Sequence, residues 1–214
     1  MKLVWSPETA SKAYIDTIKS FDDRQESGVA ELVAAMAAGW NAQLIIETWS
    51  RGGVVATSVG LAVAARHTRG RHVCVVPDEA SRSEYLEAIG AAGGAAAEVI
   101  VGRPESAIEE LEGIDFMVVD CPRSDYSKVL RKAKLSSRWA VLVCKNAAIS
   151  GAGAPSRWRS MMEGGSRQVV RSVFLPVGKG LDIAHVASTS GAKGRRRWIK
   201  HLDQRSGEEI VIRK

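Results

Sequence analysis

Features that assign a protein to a class by simple inspection are scarce in this sequence. Its 214 residues include only three cysteines and four histidines, and neither type shows the spacing of a zinc site. No uncharged apolar run approaches the roughly 18–20 residues that a membrane helix needs, and the first residues lack the apolar stretch of a secretory signal. We therefore expect a cytoplasmic or nuclear protein without a membrane span. Because Cys74, Cys121 and Cys144 each lie beside an apolar run, we expect buried, reduced thiols.

The net charge of +6 is unevenly distributed along the chain. Residues 1–150 carry a net charge of −2, and residues 151–214 carry +8. A body that binds nucleic acid over its whole surface would be basic throughout. The basic character therefore belongs to the C-terminal third.

One short basic cluster in that third is a candidate site for nucleic acid or another anion. It consists of Arg195, Arg196 and Arg197 next to Trp198, which is available to stack on a base. The alternative is a solvated loop with Trp198 packed on the body of the protein. Both interpretations remain open at this point.

Hydrophobic periodicity divides the chain into alternating helices and strands. Two helices fall within residues 1–40, and five near-continuous apolar strands then alternate with helices up to about residue 146. This alternation is typical of a parallel sheet that is buried on both faces. Two more strands follow, joined by Gly178–Gly180. We predict one α/β domain over residues 1–214, with N-terminal helices in 1–40, the core in 41–188 and a basic hairpin in 189–214.

Four stretches of the sequence resemble a known enzyme class. They are Ile46–Gly53, Ser106–Leu111, Asp115–Asp120 and Leu175–Gly180. Over roughly residues 26–188 the chain resembles class I S-adenosylmethionine (SAM)-dependent methyltransferases, and within them the plant caffeoyl-CoA-type O-methyltransferases. The whole chain, with its opening Val4–Ala10, resembles an uncharacterised plant family called domain of unknown function 1442. The resemblance implies a Rossmann-like methyltransferase fold, with a seven-stranded, mostly parallel sheet, a C-terminal antiparallel hairpin and SAM as a possible cofactor.

The resemblance also implies where the methionine part of SAM would bind. In these methyltransferases an acid and two glycines after the first strand surround it, since backbone without a Cβ can approach the ligand. Glu47 matches the acid, and Gly53, preceded by Gly52, matches the second glycine. Trp49 stands at the first glycine position. Its indole either fills the cofactor cleft or forms a new wall.

The positions that would hold the ribose and the adenine also differ from the pattern. Val76 stands where an acid would bind the ribose; Asp78, two residues on, either replaces that acid or caps the next helix. Arg103 stands where an acid would contact the adenine, and it suits an anion. The candidate cofactor-binding residues are Glu47, Trp49, Gly52, Gly53, Asp78, Arg103 and Asp120.

The metal site that the resemblance implies is altered too. The O-methyltransferases hold a divalent cation with an Asp after the fourth strand and an Asp-Asn pair after the fifth. Asp120 and Asn146 match two of these ligands, but Lys145 stands at the third. Because an ammonium group repels a divalent cation, we expect no metal. Lys145 and Asn146 are the candidate catalytic residues, with Lys145 as a cation that stabilises an anionic oxygen. The alternative is an ion pair between Asp120 and Lys145.

Two functions follow from these observations. The first is a SAM-dependent methyltransferase-like protein with an atypical, partly degenerate cofactor and metal site. The second is a non-catalytic binding or interaction module, a pseudoenzyme, that holds a small or anionic ligand in the strand-end cleft or RNA at the basic C-terminus. An exposed hairpin edge would also allow a homodimer.

Overall fold

The computed structural model of the chain describes residues 5–21, 28–120, 126–137, 139–148, 158, 167–188, 198–202 and 209–213. The helices are α1 Pro7–Lys19, α2 Gly28–Gly39, α3 Ala56–Thr68, α4 Glu79–Ala91, α5 Pro104–Glu109 and α6 Tyr126–Lys132. The strands are β1 Leu44–Thr48, β2 Arg71–Val76, β3 Glu98–Val101, β4 Glu112–Ile114, β5 Phe116–Asp120, β6 Lys134–Leu135, β7 Trp139–Lys145, β8 Arg167–Leu175, β9 Leu181–Ser188, β10 Trp198–Leu202 and β11 Glu209–Arg213.

Seven of these strands form one sheet in the order β3-β2-β1-β5-β7-β9-β8. The first five are parallel to one another, whereas β9 runs antiparallel to both β7 and β8. Gly178 and Gly180 make the β8–β9 turn with φ of 58° and 87°, a backbone conformation that glycine adopts without a steric penalty. The predicted α/β fold with a mostly parallel sheet and an antiparallel hairpin is confirmed.

Both faces of the parallel strands are covered, as their near-continuous apolar sequences predict. One face, which includes Ile45, Val118 and Val143, packs against alanine-rich surfaces of α1, α2 and α3. The other face packs against residues of α5 and α6. Trp158 is buried in this second core. None of the described helices is both long and apolar enough to cross a membrane.

Two short pairings lie outside the main sheet. β4 and β6 form a parallel pair, which sequence periodicity did not predict because strands of two or three residues carry no measurable period. β10 and β11 pair antiparallel, from Trp198 opposite Arg213 to Leu202 opposite Glu209.

The cysteines differ from one another. Cys74 on β2 is a free, buried thiol, and burial raises its pKa. Cys144 at the end of β7 is disulfide-bonded, so the expectation of a reduced thiol is wrong for this residue. A disulfide requires close approach of two Cα atoms, which flanking apolar sequence does not reveal. Cys121 lies outside the described residues.

A buried carboxylate anchors the start of β1. Asp115, directly before β5, is 3% exposed, and its Oδ2 accepts hydrogen bonds from the backbone N–H groups of Gln43 at 2.8 Å and Leu44 at 3.3 Å. The Asp115→Ala substitution should lower the free energy of unfolding by about 2–3 kcal/mol, because two backbone donors lose their acceptor. Urea denaturation measures this loss. Asp115→Asn keeps one acceptor oxygen and should lose less; equal losses for the two variants would contradict this role.

Candidate functional site

The carboxyl ends of the parallel strands meet at one edge of the sheet, where α/β folds bind ligands. The register places Glu47 beside Cys74 on β2 and Val118 on β5, and Asp120 beside Lys145. Since side chains alternate between faces along a strand, Glu47, Asp120 and Lys145 lie on one face, the face that α1–α3 cover. The structure thus brings these three predicted residues to the same edge.

Glu47 is the centre of a buried polar cluster. Its Oε1 accepts hydrogen bonds from His72 Nε2 at 3.1 Å and from the Tyr85 hydroxyl at 3.2 Å, and its side chain is 1% exposed. Burial alone would raise the pKa of this carboxyl. The hydrogen bond and charge of His72, together with the charge of Lys145, outweigh burial and hold the pKa below its ordinary value. The carboxylate is therefore ionised and accepts only, which requires the proton on His72 Nε2.

Sequence reasoning missed His72 and Tyr85. They stand 25 and 38 residues from Glu47, and no motif joins the three. The only signal in the sequence for these two residues is that each is a polar residue inside an otherwise apolar segment. A buried polar group needs a hydrogen-bond partner. That signal does not identify the partner.

Trp49 is buried between the β1–α3 loop, β2 and α4. Its residue is 3% exposed, and its ring meets that of Tyr85 edge to face with centroids 5.4 Å apart. Val76 and Ile89 belong to the same apolar cluster. A Cβ on Gly53 would come within 2.8 Å of Trp49 Nε1, so the glycine makes room for the indole. The indole therefore lies inside the body of the protein.

The loop after β1 is tied to α4. Glu84 accepts from Arg51 Nε at 3.1 Å and from the backbone N–H of Gly52 at 2.8 Å. Gly52 has a φ of 69°, a backbone conformation that favours glycine. The amide of this predicted cofactor-binding residue therefore has a protein partner.

Asp78 lies just after β2 and Arg103 just after β3, and each is the residue directly before a helix. Asp78 is the N-cap of α4 and accepts from the backbone N–H of Ser81 at 2.7 Å, and this bond lowers the pKa of its carboxyl. The geometry agrees with the capping alternative for Asp78. Arg103 precedes α5 without a side-chain capping bond and is exposed.

The side-chain contacts at the end of β7 differ from those that the sequence predicts. Asn146 Nδ2 donates to Asp120 Oδ1 at 2.8 Å, and Asn146 has a φ of 60°, which is uncommon for a residue other than glycine. Among the residues that the structure describes, no ion pair joins Lys145 to Asp120, and Asn146 donates a hydrogen bond to Asp120. Lys145 is 7% exposed and forms no hydrogen bond or ion pair within the described part of the chain.

The remaining predicted residues are outside this description. Arg195, Arg196 and Arg197 lie outside the described residues, and only the backbone of Trp198 is described, in β10. Binding of nucleic acid or another anion at this cluster stays a prediction. Among the residues described, no group of three His, Cys, Asp or Glu side chains could hold a metal ion.

The order of the seven strands and the helices on both faces of the sheet define a protein of the Rossmann-like methyltransferase fold. A methyltransferase from Geobacter sulfurreducens is similar, with a TM-score of 0.57 and 21% identity, over 84% of this chain and 89% of that one. The O-methyltransferase TomG from Streptomyces achromogenes, in complex with SAM, matches with a TM-score of 0.57 and 25% identity over 87% and 92% of the chains. An S-adenosylhomocysteine (SAH)-bound methyltransferase from Podospora anserina matches with a TM-score of 0.56 and 17% identity over 86% and 89%.

The chain belongs to the DUF1442 family of proteins of unknown function, whose model matches residues 1–214. The resemblance to this family and to O-methyltransferases is confirmed. No functionally curated protein sequence matches the chain.

Proposed function

We propose that this protein is a non-catalytic binding module built on a methyltransferase-like scaffold, and that its crevice does not hold SAM in the way the resemblance implies. The observation that carries the proposal is the Trp49 indole, which is 3% exposed and packed above Gly53. A ligand cannot occupy space that a close-packed side chain fills. Gly53, which matches the second of the two cofactor glycines, makes room for the indole instead.

The groups that would make polar contacts with the cofactor are bonded to other parts of the protein or lack a polar side chain. The Gly52 amide binds Glu84, and Asp78 caps α4. The side chain of Val76, buried in the same cluster as Trp49, has no atom that can accept a hydrogen bond. Each missing polar contact would cost about 1–3 kcal/mol of binding free energy. The loss of several such contacts supports weak binding of SAM, or none.

The residues at the ends of β5 and β7 are also unsuited to bind a divalent cation. Mg²⁺ prefers carboxylate oxygens and near-octahedral geometry, and the matching positions offer one carboxylate, Asp120, beside the ammonium of Lys145. The Asn146 amide nitrogen, not its oxygen, faces Asp120. This donor set supports a protein without the metal of the O-methyltransferases.

A second candidate is a methyltransferase with a rebuilt site. Glu47 and Asp120 are retained at the carboxyl edge of the sheet, and TomG, at 25% identity, has SAM bound. In this candidate SAM would lie near both carboxylates, with Lys145 facing the methyl acceptor. It requires Trp49 to leave its packed position.

Isothermal titration calorimetry with SAM and SAH separates the two candidates. The proposal predicts no binding heat at millimolar ligand, because Trp49 fills the crevice. A dissociation constant in the micromolar range would overturn it and favour the methyltransferase. Two variants show where any cofactor binds. Trp49→Phe changes the residue in question, and Trp139→Phe is the matched control at the opposite edge of the sheet. If the cofactor binds beside Trp49, only the first substitution should change its affinity.

A further inference from the structure

Helix α1 carries large apolar side chains on a face that points to solvent. The helix packs on the protein through its small residues, Ala10 and Ala13 among them. Tyr14, Ile15 and Ile18, by contrast, are each between 43% and 49% exposed, and their three- and four-residue spacing places them on one side of the helix. A contiguous set of exposed apolar side chains marks an interaction surface, whereas single ones do not.

A groove lies directly beside this row of side chains. It has a volume of about 360 Å³ and is lined by Ala10, Ser11, Tyr14, Ile15 and Ala35. The short side chains of alanine and serine leave this space open between α1 and α2. Since a cavity of about 150 Å³ holds a benzene molecule, the groove has room for two side chains of roughly that size.

A buried acceptor without a partner lies on the α2 side of the groove. Glu31 precedes Ala35 by one helical turn and therefore shares its face of α2. Its Oε2 is buried and has no hydrogen bond within the described part of the chain, a condition that is rare in native proteins. An occupant with an apolar body and a terminal donor would satisfy both the groove and this oxygen. Tyrosine has both properties, and the same surface presents Tyr14.

The charges along α1 are complementary to those of a second, antiparallel α1. Glu8 lies in the first turn and Lys19 in the last, and the three helical turns between them place both on the same flank. A twofold axis across the helix would bring Glu8 of each copy to Lys19 of the other. Glu8 Oε1 already binds Lys12, so Oε2 would take the new contact. A parallel pair would place like charges together.

The shape of α1 is also complementary to itself. A symmetric interface uses the same patch on both copies, so the patch must contain both a ridge and a groove. If the axis passes between Tyr14 and Ile15, Ile18 of each copy faces Ser11 of the other, and each ridge enters the opposite groove. One helix of 13 residues is only about 20 Å long, so the contact is smaller than a standard stable interface and should be reversible.

The other exposed apolar element, the outer strand β8, is a weaker candidate for contact between copies. Val170 is exposed there, but the strand has an irregular register between Val169 and Arg171. Irregularities and charges on an outer strand oppose pairing with another sheet. The observations therefore favour α1.

We propose that α1 forms a symmetric homodimer contact, in which the Tyr14, Ile15 and Ile18 ridge of each copy fills the groove of the other. The contact lies on the helical layer and is independent of whether the crevice holds SAM.

Sedimentation equilibrium of the full chain at low ionic strength tests the apolar part of the contact. The wild type should show a monomer–dimer equilibrium. Ile15→Lys should raise the dimer dissociation constant at least about tenfold, because it places a cation in an apolar contact. The matched variant Val170→Lys, at the exposed position on β8, should leave this constant unchanged. Far-UV circular dichroism checks that both variants fold.

Charge reversal tests the antiparallel arrangement. Lys19→Glu should raise the dissociation constant by about fivefold, since the ion pair occurs twice in the dimer. Glu8→Lys combined with Lys19→Glu should restore the wild-type value. A folding defect could weaken the dimer in the single variant, but it would not be repaired by a second reversal on the same flank.

Four results would overturn the proposal. They are a wild type that stays monomeric at about millimolar concentration, equal dissociation constants for wild type and Ile15→Lys, dissociation by Val170→Lys, and a double reversal that does not recover the dimer. Binding of a monomeric wild type to anionic lipid vesicles would assign the α1 face to a membrane surface instead. SAH titration has no bearing on any of these results, so the proposed function stands or falls separately.

Discussion

Replacing Glu47 with Ala should lower the free energy of unfolding by about 3–5 kcal/mol, the range for breaking a buried charged pair from one side. The substitution leaves the His72 side chain, which is 4% exposed, and the Tyr85 hydroxyl without an acceptor in the core. Urea denaturation followed by circular dichroism measures the loss.

A double-mutant cycle shows whether the pair itself carries this effect. His72→Ala and the Glu47→Ala/His72→Ala double variant complete it, and an interaction energy of at least about 1 kcal/mol is expected for partners in contact. Additive losses would mean that the contact between Glu47 and His72 contributes no measurable free energy. That outcome would contradict the network described above.

The Glu47 effect should depend on pH in a defined direction. The pKa of this carboxyl is lowered in the folded protein from its ordinary value of 4.5. Its contribution to stability is therefore present above that value and is lost as the pH falls through the folded-state pKa. The difference between wild type and Glu47→Ala should shrink in this acidic range.

Replacing Trp49 with Ala should cost about 3–5 kcal/mol of unfolding free energy, as for other buried aromatic residues. The indole packs against Val59, Tyr85 and Ile89, and neighbouring side chains refill such a volume only in part. Trp5 provides the matched control, because it is 40% exposed and packs edge to face on Trp40. Trp5→Ala should cost less.

A smaller loss for Trp49→Ala than for Trp5→Ala would contradict the packing of Trp49. It would mean that the indole leaves the crevice easily, as the rebuilt methyltransferase site requires. The stability measurement and the SAH titration therefore test the same point by different routes.

The sequence predicted the sheet and the edge that carries the site. Apolar runs such as Phe116–Val119 are local signals, and the end of each run gives the position of Glu47, Asp120 and Lys145 along the chain. Because parallel strands align their carboxyl ends, these residues were expected together. The register of β5 with β7 agrees with that expectation.

The pairing of side chains at that edge was less predictable. Asp120 and Lys145 are neighbours in register, and opposite charges suggested an ion pair, yet Asp120 takes its hydrogen bond from Asn146. Asn146 has a left-handed backbone, and its side-chain amide donates to Asp120. Asparagine adopts this conformation more readily than most residues with a side chain, but the sequence does not show which asparagine does so.

By itself, the sequence determined the order of helices and strands, the buried parallel sheet and the edge of the sheet at which Glu47, Asp120 and Lys145 lie, since these follow from periodicity over neighbouring residues. Only the tertiary structure decided that Trp49 packs inside, that His72 and Tyr85 bind Glu47, and that Cys144 forms a disulfide. Such contacts join segments that are far apart in the chain. Their geometry depends on how helices and strands pack in three dimensions, which short-range patterns do not encode.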